Sequence, residues 1–323
     1  MNESIANGSY IEEKTKVIAV VGPTASGKTE LAVSLAEELG GEVISADSMQ
    51  IYKYMNIATA KPTKEEMRGI PHYLIDFVEP GETFSVARYV ELAHRLIREI
   101  TQRGKLPIIA GGTGLYVDSL LKNIEFSPQK SDERLREELN ALAAEKGGEY
   151  MLALLREIDP ETAARLHPND LSRIIRGIEI FRITGVTMSQ QLERSHGEQI
   201  YDAFYIGIDL RDREKLYQRI NTRVDIMLQQ GLVDELKDLE KRGFSSTAAQ
   251  AIGYKELYGW HKGEMSFEQA VEELKRGTRR YAKRQLTWFR KNEEINWFYR
   301  EDYRDTQQLC RAAVTAAEKF LGE

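Results

Sequence analysis

The chain has little sulfur chemistry to offer: Cys310 is the one cysteine in 323 residues. That excludes an intramolecular disulfide framework and any cysteine-rich zinc site. Five histidines are scattered without metal-ligand spacing. No apolar run approaches the roughly 20 residues that a membrane span requires. Met1 to Glu13 lack the basic start and apolar stretch of a signal peptide. Internal repeats and low-complexity segments are absent as well. These absences point to a cytoplasmic protein with no membrane contact. What is present suits a folded chain: 41% of residues are apolar, enough for a real core, and 30% are charged. The length fits one large domain, or a core plus a smaller one.

Net charge is −6, which by itself argues mildly against nucleic acid. The charge is uneven, however. Lys275 to Lys291 holds eight basic residues and no acidic ones, with Tyr281, Trp288 and Phe289 interleaved. Cations pair with backbone phosphates, and aromatics stack on unpaired bases. An amphipathic helix with Trp288 and Phe289 in the core fits the same residues.

The strongest motif lies near the front. Gly22-Pro23-Thr24-Ala25-Ser26-Gly27-Lys28-Thr29 follows the apolar run Val17–Val21 and precedes a helical pattern through Leu31, Leu35 and Leu39. That is the strand–G-x-x-x-x-G-K-[ST]–helix context of a phosphate-binding loop. Its backbone N–H groups cradle a di- or triphosphate at a helix N-terminus. Lys28 neutralises phosphate charge, and the Thr29 hydroxyl is placed to ligate Mg²⁺.

Strands and helices alternate behind it. Glu42–Ser45, His72–Ile75 and Leu106–Ala110 read as strands, and Thr83 to Arg103 reads as a helix stopped by Gly104. This alternation predicts an α/β fold with a doubly wound parallel sheet. Ligands of such sheets sit beyond the strands' carboxyl ends, where the phosphate loop, Asp47 and Thr113 should converge. From about Ser127 to Gly197 the strand signal vanishes. Helical patterns cover 132–146, 149–158, 160–166 and 171–184, and a strand returns at Ala203–Ile208. An inserted all-helical subdomain, 127–197, is therefore expected within a core of 1–126 and 198–323. The remainder reads as helices over 212–230, 232–242 and 267–291.

Asp47 closes a strand beside the phosphate loop. A carboxylate there takes a proton from a nucleophile aimed at a bound phosphate ester; a helix cap or an outer magnesium ligand fits the position equally. The run Ile108 to Gly114 carries no acid, where an ATPase usually has one to hold its magnesium. Gly111-Gly112-Thr113-Gly114 instead suits close backbone approach to a ligand. Arg219 and Arg223 share a helix face; it either reaches phosphate or faces solvent.

Taken together, several segments resemble one family, the tRNA dimethylallyltransferases (tRNA isopentenyltransferases). They are GPTASGKT at 22–29, SADSMQIY at 45–52, IATAKP at 57–62, PHYLIDFVEP at 71–80 and GGTGLY at 111–116. HPND at 167–170, SRIIRGIE at 172–179, RVDIML at 223–228, AIGYKE at 251–256 and KRQLTWFRK at 283–291 complete the order. The chain ends soon after the last of these, without a zinc-finger extension, so it resembles the bacterial form. The resemblance implies a P-loop NTPase-like core that transfers a dimethylallyl group from dimethylallyl diphosphate to N6 of adenosine 37, in tRNAs reading codons that begin with U. The loop Gly22–Thr29 would hold the diphosphate, with Mg²⁺ on Thr29. Lys28 and Arg223 would stabilise the departing diphosphate, and Asp47 would take the N6 proton. Ser48, Met49, Gln50, Thr113 and Gly253 would lie along the tRNA path. Arg136, Ser172, Arg173, Ile174, Ile175 and Arg176, with Lys283, Arg284, Gln285 and Arg290, would grip the anticodon stem-loop of a monomeric enzyme.

Three rivals fit part of the pattern. A small-molecule P-loop kinase would use Asp47 on a hydroxyl, with ATP in the loop. An adenylate isopentenyltransferase would modify free AMP. The insertion and the 283–291 stretch argue for tRNA. A nucleotide-switched RNA-binding protein would leave Asp47 without a task.

Overall fold

The expected first strand is β1, Thr15–Val21. Its side chains divide by the two-residue repeat of a strand. Val17, Ala19 and Val21 enter one apolar core, and Ile18 and Val20 enter another. Burial on both faces is what helices covering a parallel sheet impose. In a computed structural model, which describes residues 14–124, 126, 132–194, 197–245 and 247–322, β1 pairs in parallel with β4 (Leu106–Gly111) and β5 (Tyr201–Asp209). Strand β2 (Gly41–Ser45) joins β4, with β3 (His72–Tyr73) beyond it. On the other side β6 (Asn296–Tyr299) pairs with β5. The result is a six-stranded parallel sheet in the order β3-β2-β4-β1-β5-β6.

Helices cover both faces, as the doubly wound reading requires. One face carries α1 (Lys28–Leu39) and α13 (Thr306–Leu321), packed through Leu31, Leu35, Leu309 and Ala313. The opposite face carries α3 (Val86–Gln102) and α4 (Gly114–Leu121), through Tyr89, Ile97, Val117 and Leu120. The Ser85 side chain accepts from Arg88 N and so fixes where α3 begins. Beyond the sheet, α2 (Lys64–Met67) is one short turn. A third core gathers α9 (Arg213–Gln229), α10 (Leu232–Arg242), α11 (Tyr254–His261) and α12 (Phe267–Phe289) around Ile51, Tyr52 and Met55.

The chain forms two compact units, Met1–Leu121 with Gln199–Glu323, and Lys122–Glu198. The second begins ahead of the expected 127, a residue that lies outside those described, as do residues 1–13. Its ends meet where the Asn123 side chain donates to Glu198 O at 2.9 Å. It is helical, as expected. The two helices read at 132–146 and 149–158 are one element, α5 (Glu133–Ile158), interrupted at Gly147 with φ 81°. Three more follow: α6 (Pro160–Ala164), α7 (Leu171–Thr184) and α8 (Met188–Arg194). Leu139, Met151, Leu155, Ile174 and Ile178 form the core of this unit.

Three adjacent strands, β2, β4 and β1, end side by side. Asp47 follows the first, Gly112 the second and the phosphate loop the third, so the parallel topology alone brings the three segments to one crevice.

Candidate active site

The phosphate loop leaves β1 at Gly22, where a side chain would overlap the Ile208 carbonyl oxygen. It enters α1 through Gly27, whose φ of 104° disfavours any residue with a Cβ. The 12-residue α1 starts at Lys28, so its N-terminal amides face the loop's interior. The loop backbone is braced by side chains. Lys28 Nζ donates to Pro23 O at 2.6 Å, Arg219 Nε to Ala25 O at 2.9 Å, and Arg300 Nη1 to Ser26 O at 3.2 Å. Thr24 N donates to Gln285 Oε1 at 2.8 Å.

Asp47 is held by a turn of its own making. Its Oδ1 accepts from Met49 N at 2.9 Å and Gln50 N at 3.3 Å. This is the local bonding that aspartate favours outside helices. No helix starts at Asp47, so the helix-cap reading is removed. Among the described residues no hydrogen bond engages its Oδ2. Thr113 Oγ1 accepts from Ser48 N at 3.0 Å, and Thr113 N donates to Ala46 O at 3.1 Å. The expected convergence of Asp47 and Thr113 is therefore met by direct bonding across β2 and β4. Gln50 turns inward, its Nε2 donating to Thr59 O at 3.2 Å and Ala60 O at 3.1 Å.

These segments line a cavity of about 970 Å³ that takes in Lys28, Thr29, Asp47, Arg223 and Tyr281. Ser48, Met49, Gln50, Arg219 and Gly253 border it too, so the arginine face of α9 points to the cavity. Burial pulls the Lys28 amine down to about 7, Arg223 adds to the effect, and Asp47 opposes it. Burial also lowers Arg223, and Arg219 reinforces this, against Glu66 and Asp47. Lys28 and Arg223 thus border the cavity together with Arg219, against the carboxylates of Asp47 and Glu66, and burial disfavours the charged form of both cations. The Tyr281 hydroxyl is raised above its ordinary range by burial and by the Asp47 charge. Sequence reasoning placed Tyr281 only among the interleaved aromatics, and it missed Arg300 altogether. The signal for Tyr281 was its spacing from Gln285, one helical turn along α12.

Several residues expected on the RNA side have other surroundings. Gln285 is buried and both ends of its amide are bonded within the core. Phe289 is buried, and Trp288 Nε1 donates to Asp118 Oδ2 at 2.8 Å, so neither is free to stack on a base. Arg290 pairs with the buried Asp209 at 3.2 Å. Of the eight cations in this stretch, Lys275 pairs with Asp225 and Arg276 with Glu273. Arg280, Lys283, Arg284 and Lys291 are exposed and have no carboxylate partner among the described residues.

In the second unit, Ile174 and Ile175 are core residues, because their positions on α7 face α5. Ser172 and Arg173 are exposed. Arg136 and Arg176 each donate to Glu179 Oε2 at 2.8 Å, and that carboxylate is fully buried. The arginines hold Glu179 below the usual carboxylate range against the opposing effect of burial.

A family model described as IPP transferase matches residues 50–292. A tRNA dimethylallyltransferase of Thermoanaerobacter sp. (strain X514) is 50% identical over 303 residues, covering 93% of this chain and 96% of the relative. A protein of that name from Bacillus cereus (strain AH187) is 51% identical over 300 residues, covering 93% and 94%. Among solved structures, a tRNA isopentenylpyrophosphate transferase from Bacillus halodurans superposes with a TM-score of 0.71 at 44% identity, covering 95% of this chain and 96% of the other. A eukaryotic dimethylallyltransferase acting on tRNA gives a TM-score of 0.80 at 30% identity, covering 95% and 80%.

Proposed function

The chain belongs to the IPP transferase family, and on that premise we propose that it moves the dimethylallyl group of dimethylallyl diphosphate onto N6 of adenosine 37, in tRNAs reading codons that begin with U. The observation that carries the reading is the pairing, in one cavity, of a phosphate loop with Asp47, where β4 ends in Gly111 rather than an acid. An ATPase usually carries an acidic magnesium ligand at that place. A diphosphate leaving group needs cations, and Lys28 and Arg223 supply them.

In this scheme the bond from the allylic carbon to diphosphate oxygen breaks as the bond to N6 forms. Lys28 and Arg223 stabilise the charge that accumulates on the departing oxygens. Asp47 receives the N6 proton, through the oxygen that its own turn leaves unbonded. The adenine must leave its stack to reach a carbon inside the cavity, so extrusion of the base is expected.

Magnesium fits as a shared ligand of protein and substrate. Among the described residues no group of three or more His, Cys, Asp or Glu could hold a metal. The Ser26 hydroxyl of the same loop is buried without a hydrogen-bond partner, so the loop has an unused oxygen. Mg²⁺ is commonly bound by one or two protein oxygens together with substrate phosphates and water. Thr29 would hold it in that manner, and it would add positive charge to the leaving group.

The test is incubation with labelled dimethylallyl diphosphate and either undermodified tRNA or AMP. The proposal predicts label on tRNA and none on AMP. Label on AMP alone would contradict it.

A further inference from the structure

The inner face of α12 touches two of the three segments that build the cavity. Gln285 bridges them. Its Oε1 accepts from Thr24 N in the phosphate loop at 2.8 Å, and its Nε2 donates to Gly112 O at the end of β4 at 3.0 Å. The partners fix the orientation of the amide, because Thr24 N can only donate and Gly112 O can only accept. Gln285 is 5% exposed, so both bonds are sheltered from water. Gly112 is matched to it: a Cβ at 112 would overlap Gln285 Nε2. One turn earlier, Tyr281 lines the same cavity.

Resting on the function proposed above, we infer that Gln285 is a positioning residue for group transfer: it sets the gap between the diphosphate loop and the strand end beside Thr113. Thr113 follows Gly112 in the chain and accepts from Ser48 N, and Ser48 follows Asp47, so three hydrogen bonds and two peptide links connect the loop holding the donor to the turn holding the base. Arg219 and Arg300 fix the same loop from other sides, at Ala25 and Ser26. Neither of those two reaches Gly112, and Gln285 alone among these braces joins the loop to β4. The neighbours of Gln285 in sequence, Lys283 and Arg284, are exposed cations. The same helical turn thus carries the exposed Lys283, Arg284 at the border of the cavity, and the buried strut.

The role predicts a particular kinetic signature. Losing the strut lets donor and acceptor drift apart while both are still bound. A misplacement of about 1 Å costs on the order of 100-fold in rate. Gln285→Met keeps length and apolar volume but removes both bonds. Gly112→Ala displaces the amide without touching residue 285. Both variants should lower single-turnover transfer from dimethylallyl diphosphate to prebound tRNA about 100-fold. Equilibrium affinities for each substrate should stay within about threefold of wild type, since uniform binding is untouched. Gln285→Glu retains the acceptor for Thr24 N and loses the donor to Gly112; it should fold even if the methionine variant does not, and should still lose at least about tenfold in rate. Undiminished transfer by a folded variant would overturn the inference, as would a loss explained wholly by weaker tRNA binding, which would make Gln285 an RNA contact. The wild-type control separates the two levels. No transfer by wild type contradicts the parent function, whereas wild-type transfer matched by the variants refutes only the strut.

Discussion

Replacing Asp47 by asparagine removes a charge and leaves a turn. The carboxylate Oδ1 accepts from Met49 N and Gln50 N at 2.9 and 3.3 Å, and an asparagine carbonyl accepts the same two bonds. The loop from Ser48 to Gln50 should therefore keep its place, including the bond from Ser48 N to Thr113 Oγ1. What disappears is the basic oxygen, Oδ2, which becomes an NH₂ with no lone pair for the N6 proton. General-base contributions run about 10²–10⁴-fold, or roughly 3–5 kcal/mol at 1.36 kcal/mol per factor of ten. The turn bonds are preserved, so tRNA affinity should change by less than about 0.5 kcal/mol, the usual range for substitutions that break no special feature. Asp47→Ala removes the turn as well, and it should lose both rate and tRNA affinity. The assay is single-turnover transfer at saturating dimethylallyl diphosphate with tRNA bound beforehand, alongside direct tRNA binding. A loss below about fivefold for Asp47→Asn would remove Asp47 from proton transfer. Equal affinity losses in the two variants would assign the carboxylate to RNA recognition instead.

Lys28 gives a pH-dependent counterpart. Burial, with Arg223, pulls its amine down to about 7 against the opposing charge of Asp47. A bound diphosphate raises that value, so binding above pH 7 should take up protons. Calorimetry in buffers of different ionisation enthalpy measures it, and zero uptake in wild type would contradict the electrostatic description. On the RNA side, Lys283→Ala with Arg284→Ala removes two unpaired, exposed cations. At about 0.7–0.9 per phosphate contact, the slope of log affinity against log salt should flatten by about 1.4–1.8. A salt titration with unaltered slope would place the tRNA grip elsewhere.

The core of the fold was legible because its signals are strong and local. An unbroken apolar run before GPTASGKT admits little besides a buried strand and a phosphate loop, and the helical period of 86–100 is plain. Other elements were hidden for physical reasons. Strand β6, Asn296–Tyr299, is four residues long and partly exposed, too short to show a period. Helix α4 begins inside the glycine turn at Gly114, where a loop reading competes with a helical one. Helix α13 does carry apolar residues at 309, 313 and 317, but Ala313 and Ala317 are weak markers of a buried face.

The site was legible in part for the same reason. Gly22–Thr29 and Asp47 declare themselves by position relative to a strand end. Gln285 and Arg300 do not, because their partners are backbone atoms 261 and 274 residues away in sequence. Nor does a run of basic residues reveal its own neutralisation. Lys275, Arg276 and Arg290 meet carboxylates at Asp225, Glu273 and Asp209, and only the folded helix shows which cations are left over. The buried Glu179 between Arg136 and Arg176 makes the same point in the second unit, where two residues expected to grip the anticodon stem-loop also satisfy an internal charge.

The most direct measurement is the position and chemistry of the product. Undermodified tRNA reading a codon that begins with U is incubated with the purified chain, Mg²⁺ and dimethylallyl diphosphate, then digested and analysed by mass spectrometry. The predicted result is a single N6-dimethylallyladenosine at position 37, absent when Asp47→Asn replaces wild type at early times. Unmodified tRNA after exhaustive reaction, or a dimethylallyl group at any other nucleotide, would contradict it.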